Sequence, residues 1–214
     1  MYLAGCTGAV MIVMVIVSLA TGATQEAHEH FAKPEVYAIG LLEHASALRA
    51  VFALDIAFVI VYTAFFATLS AYLVEIGRPL ARIAFAAMAL TALLDIVEDH
   101  HIVSLLDAAE QGVLPSAAAI SFQVVESATK FSVSYVALFL YGLAIPRTTK
   151  LGWALALFLT VGTALNAIVG YSLPPSAMAS FDGGRWVGFL IGLSLLIGTL
   201  STSSTRPEST ARDH

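Results

Sequence analysis

A chain of 214 residues that is 58% hydrophobic and only 12% charged, with a mean hydropathy of +0.85, cannot cover the surface of a soluble domain, for which about 25% charged residues are usual. The net charge of −5 leaves no basic surface for nucleic acid, and Cys6, the single cysteine, excludes an intrachain disulfide. What remains is one bundle of apolar helices whose solvent is lipid, undivided by any linker-like stretch.

A helix needs about 20 mainly apolar residues to cross a bilayer. The first such run, 3–20, carries no charge. No Lys or Arg precedes it, so it reads as a span and not as a signal peptide, and the lipoprotein-like Leu3-Ala4-Gly5-Cys6 reads as chance. The polar stretch Thr24-Gln25-Glu26-Ala27-His28-Glu29-His30 follows. Pro34 predicts a helix start, with Glu35 to Arg49 as an amphipathic lead-in at the interface. The second span covers 50–74 and is broken by Gly77-Arg78-Pro79. The third covers 80–104, continues as a helix to about Glu110 and is closed by Gly112. Ser116, after Pro115, opens the fourth, 117–145, which ends at Pro146. The fifth covers 151–171, before Pro174-Pro175, and the sixth 186–200. A polar tail, 201–214, is expected to be disordered.

The expected fold is therefore all-α, an integral membrane bundle of about six transmembrane helices in a single domain over 1–200. Arg78, Arg82, Arg147, Lys150, Arg206 and Arg212 fall on one side of it, which predicts that both termini are cytoplasmic. The outer face then carries Glu26, Glu29, Glu35, Glu43, Asp107, Glu110 and Asp182, together with five of the six histidines.

Ionisable side chains inside a span cost roughly 2.5–3.5 kcal/mol each on insertion scales, so they need partners, water or a task. Here they form stripes. Asp55 and Tyr62 share one face of the second span, and Asp95, Glu98 and Asp99 share one face of the third, with His101 flanking it. Gln123, Glu126, Lys130 and Ser134 line up on the fourth, with Glu126 and Lys130 at salt-bridge spacing. Thr163, Asn166 and Gly170 do so on the fifth. Depth places Asp55, Tyr62, Asp95, Glu98, Asp99, Glu126, Lys130 and Asn166 in the outer half of the bilayer, as a ligand or proton pocket open to the outer face. Plainer readings compete: an intrahelical Glu126–Lys130 pair, Asn166 as glue between helices, and Phe58, Phe65, Phe66, Phe139 and Tyr141 as packing or lipid-facing residues.

Three carboxylates on one turn repel unless one is protonated or a cation lies among them. Lys130 is one such cation. A divalent transition metal is another, since carboxylate with imidazole suits zinc, iron, manganese or copper. The candidate ligands are Glu98, His101, His28, His30 and His44.

The segment Leu94-Asp95-Ile96-Val97-Glu98-Asp99, with Asp55 in the preceding span and Lys130 in the following one, resembles an uncharacterised group of small bacterial membrane proteins. Those carry an Asp-x-x-Glu-Asn element in a span; here Asp99 stands in place of the Asn and the paired His100 and His101 are additional. The resemblance implies a multi-pass protein of the cell membrane, a bacterial inner membrane, and no particular activity. An alkaline ceramidase-like hydrolase would need a His-x-x-x-His element that the sequence lacks.

The function expected first is binding or transport of a proton, a cation or a small polar solute. The alternatives are a membrane-embedded metal-dependent enzyme acting on a lipid or apolar substrate, with Glu98 or Asp95 as general base, and a structural or accessory subunit. The expected partners are the lipid bilayer and a small ion, solute or lipid ligand; oligomeric state is left open.

Overall fold

The computed structural model describes residues 2–173 and 175–204; of the side chains, those at 175–180, 182, 183 and 202–204 fall outside the description. Of the polar tail expected over 201–214, residues 201–204 are helical, not disordered, and those from 205 onward lie outside the described residues.

The apolar run at the N-terminus forms α1, Tyr2–Thr21, and stops at Gly22, whose φ of 72° suits a residue without a Cβ. A short connector holds one turn of 3-10 helix, Glu26–His28. Pro34 begins α2, Pro34–Glu43, as a proline at the first helical position should. The amphipathic lead-in expected over Glu35 to Arg49 is interrupted at His44, where φ −123° and ψ 24° leave the helical region. Two helices result, and α3, Ala45–Glu75, carries the span. Gly77, at φ 80°, makes the break before α4, Leu80–Glu110, and Gly112, at φ 78°, ends it.

Ser116 caps α5, Ala117–Ala144: its Oγ accepts the Ala119 N–H at 3.1 Å, satisfying one of the donors that a helix start leaves open. Thr149 does the same for α6, Lys150–Leu157, through the Gly152 N–H at 3.0 Å. The expected fifth span is not one regular helix. A π turn, Phe158–Gly162, separates α6 from α7, Thr163–Ser172, a local widening that proteins tend to place at functional sites. The last helix, α8, covers Pro175–Ser204 and so begins well before the expected Trp186.

Five of these helices are long and apolar enough to cross a membrane: α1, α3, α4, the run Lys150–Ser172, and Gly184–Ser201 within α8. They fit a multi-pass membrane protein. Of the six expected spans, the one outside this set is α5. Its 28 residues are long enough, but Gln123, Glu126 and Lys130 lower its hydropathy.

α4 and α5 pack against each other most extensively, and α3 lies against both α1 and α4. α1 turns Ala4, Thr7, Met11 and Met14 inward, a helical repeat of small and flexible side chains. At one end of the bundle, Arg49 of α3 bridges Asp107 and Glu110 of α4 at 2.6 and 2.8 Å. At the other, the Tyr141 hydroxyl of α5 shares a 2.6 Å hydrogen bond with Ser70 of α3. Gly142 lets the π turn close in, since a Cβ there would lie 2.8 Å from Thr160 Cγ2 and 3.0 Å from the Thr160 backbone nitrogen. The π-turn residues Phe158, Leu159 and Gly162 thereby reach an internal cavity.

A carboxylate and lysine cluster at the head of an internal cavity

Periodicity turns Asp95, Glu98 and Asp99 of α4 toward α3 and α5. Glu98 is fully buried, at 0% exposure. Four donors converge on its carboxylate: the Lys130 ammonium, the Ser127 hydroxyl, Gln123 Nε2 at 3.0 Å and Gln25 Nε2 at 3.2 Å. That fills the acceptor capacity of a carboxylate. Lys130 Nζ also meets Asp95 Oδ1 at 3.0 Å and lies 3.8 Å from Glu29 Oε1. Its three N–H groups thus face three carboxylates, the compensation that a buried ammonium needs.

The outer ring of contacts extends this set. The Tyr62 hydroxyl donates to Asp95 Oδ2 at 2.9 Å. Arg185 of α8 donates to Glu29 Oε2 at 3.0 Å, with its guanidinium 3.7 Å from the Phe131 ring centroid, a cation–π contact. Glu26 accepts the Trp186 indole N–H. The connector between α1 and α2 is therefore bound to α4, α5 and α8 at once. Burial pushes the Glu29 carboxyl above the usual carboxylate range, against the pull of Lys130 and Arg185. Burial beside His44 brings His28, on the same connector, down to about 4.

Below this cluster lies a cavity of about 310 Å³. Glu29, Asp55, Asp95, Lys130 and Arg185 line its polar end. Phe58, Phe65, Phe66, Leu69, Phe158 and Leu193 are among the residues lining the rest. Along α3 the wall from Asp55 to Leu69 rises about 20 Å. Tyr141, held by Ser70, marks the apolar end.

Asp55, Tyr62, Asp95, Glu98, Asp99 and Lys130 thus come together. Asp55 and Asp99 stand side by side, 5% and 2% exposed, and both Asp99 carboxyl oxygens are buried without a hydrogen bond. Asn166 sits on the cavity wall, its Oδ1 accepting the Tyr135 hydroxyl at 2.9 Å. Glu126 does not join. Its Oε2 meets His101 Nδ1 at 2.5 Å, so the expected Glu126–Lys130 pair within α5 is replaced by two separate pairs to α4. The stripe on α5 splits because Lys130 faces the helix interface and Glu126 its edge.

The candidate metal ligands are scattered. Glu98 is enclosed by its four donors, His101 is paired to Glu126, and His28 packs on Tyr37 with ring centroids 5.4 Å apart. His30 and His44 lie on the connector and at the α2–α3 break. Among the described residues, no group of three or more His, Cys, Asp or Glu is placed to hold a metal ion. Of the aromatic residues read as packing, Phe58, Phe65, Phe66 and Tyr141 line the cavity, while Phe139 is exposed.

Sequence reasoning passed over Gln25, Glu29, Gln123, Ser127 and Arg185 as site residues. Gln123 and Ser127 were open to discovery, since they lie seven and three residues before Lys130 and four from each other, on the same face of α5. Gln25, Glu29 and Arg185 give no such signal, because chain folding alone brings a connector and a distant helix to this spot. A scan of protein-family models found no match to this chain, and searches of curated proteins and of solved structures found none either. The likeness to proteins with an Asp-x-x-Glu-Asn element therefore contributes no fold or activity, and the site stands on its own geometry.

Proposed function

We propose that the protein binds, within the bilayer, a small molecule with a polar head and an apolar body. One observation carries this reading: a single cavity of about 310 Å³ passes from the charged cluster around Lys130 into a wall of aromatic and aliphatic side chains. Ligand sites commonly have this form, mostly apolar with a few placed polar groups, and such volumes lie at the small end of their range. The apolar wall favours an amphipathic ligand over the fully polar solute first expected. In this reading α5 crosses the membrane as a sixth span, both termini are cytoplasmic and the cluster lies in the outer half of the bilayer. Transport would require the same cavity to open alternately, and its position among the spans is the kind that transporters use.

The metalloenzyme reading has less support, because Glu98 has its acceptor positions occupied and His101 is committed to Glu126. The test is a thermal-shift series on the full chain in detergent, using single-chain amphiphiles with amine, carboxylate or hydroxyl heads. At least one class should raise the midpoint. Met88→Trp, which fills the apolar wall without touching the cluster, should abolish that shift. No shift with any head group, or a shift unchanged by Met88→Trp, overturns the proposal.

A further inference from the structure

The charges of the cluster are unevenly answered. Glu98, Asp95 and Glu29 each meet Lys130, and Glu29 also meets Arg185. Asp55 and Asp99 have no comparable partner. Both Asp99 oxygens are enclosed without any donor, and among the described residues no donor reaches the Asp55 carboxyl by hydrogen bond. Each is instead the other's neighbour across the α3–α4 interface.

The groups that face this pair can supply no proton or counter-charge beyond what they already give. From α4 they are Asp95 and Glu98, both acidic. From α5 the group is Lys130, whose three N–H groups are directed at Glu98, Asp95 and Glu29. The Tyr62 hydroxyl on α3 is given to Asp95. α1, packed against α3, contains no charged residue. The nearby histidines are engaged elsewhere: His100 Nδ1 bonds the Ile96 carbonyl of its own helix, and His101 bonds Glu126.

We infer that Asp55 and Asp99 form a proton-binding site, one proton bridging the two carboxyls, with entry and exit through the cavity. Two ionised carboxylates are acceptors only and repel when they face each other without a cation. A single proton turns one into a donor, and the resulting O–H···O⁻ bond is of the strong, charge-assisted kind. It supplies the donor that Asp99 lacks. The pair is asymmetric in access: Asp55 lines the cavity and Asp99 stands behind it, so Asp55 is the member that exchanges with the cavity. This assignment needs no ligand and stands whether or not the amphiphile reading holds.

Infrared spectroscopy of the full chain in detergent, at neutral pH and free of alkali cations other than a large organic counter-ion, tests it. The wild type should show the carbonyl band of a protonated carboxyl, shifted on transfer to D2O, that disappears in a single step as pH is raised. Asp55→Asn and Asp99→Asn should each remove the band, because the asparagine amide then donates to the remaining carboxylate. Asp107→Asn, at the exposed Arg49 bridge, should leave it in place. A wild type without the band overturns the assignment and needs no variant to fold. So does a band that survives in both Asn variants, or one that sodium or potassium abolishes, since the pair would then be a cation site.

Discussion

Lys130 reaches across from α5 to Glu98 on α4, joining two helices through a pair in which the lysine is 5% exposed and the glutamate not at all. Removing one partner of such a pair leaves an uncompensated buried charge, a loss of about 3–5 kcal/mol. Lys130→Met should therefore lower unfolding stability in detergent by that order. Combining it with Glu98→Gln should recover part of the loss, since the carboxylate charge is then gone as well. A double variant as unstable as the sum of the two singles would show that the two residues do not interact.

Tyr62→Phe isolates a neighbouring contact. The hydroxyl that donates to Asp95 at 2.9 Å is lost while the ring keeps its edge contact with Phe58. A hydrogen bond to a charged group contributes about 1.5–3 kcal/mol, and denaturant titration of the variant should show a loss in that range.

The connector carries a pH dependence of its own. His28 lies at about 4 in the folded protein and 6.5 when unfolded. As pH falls, the unfolded chain takes up that proton first. The contribution of His28 is therefore full above pH 6.5 and declines as pH drops toward 4, by about 3 kcal/mol in total. Glu29, whose carboxyl is raised, acts in the opposite sense: folding gains from it as pH falls. Wild type compared with His28→Gln separates the two. The variant should lose less stability between pH 7 and pH 4 in thermal melts, and parallel curves would contradict the burial argument.

Close packing at the π turn gives a fourth expectation. A methyl group at Gly142 would meet Thr160 at distances that real Cβ atoms avoid, one of them to backbone. Gly142→Ala should cost about 1–3 kcal/mol, as overpacking does, despite the gain in helix propensity. A melting midpoint at or above that of the wild type would show that the π turn yields freely.

Helix ends were the most legible part of this chain. Pro34, Gly77, Gly112 and Ser116 act through backbone geometry or a local hydrogen bond, so each works without knowledge of the fold. The π turn was hidden because Phe158–Gly162 lies inside a run, Lys150–Ser172, that is long and apolar enough to read as one regular span. Within the cluster, the stripes of α3 and α4 were readable as faces, since helical periodicity sets which residues share one. Partner choice was not readable. Glu126 and Lys130 have ideal spacing for each other, yet each finds a nearer partner on α4, and sequence spacing contains no information about the neighbouring helix. Arg185 shows the same limit at longer range.

The bonds from the first connector to the last helix have a consequence for biosynthesis. Glu29 and Arg185 are separated by 156 positions in the chain, and Glu26 and Trp186 by 160. A chain made from its N-terminus must hold Glu26 and Glu29 without these partners until nearly every other helix has emerged. The α3, α4 and α5 neighbours can assemble much earlier, being consecutive. Completion of the charged cluster thus waits for α8, and a chain truncated before α8 would retain the Lys130–Glu98 link while leaving the connector held by its contacts with α4 and α5 and not by α8.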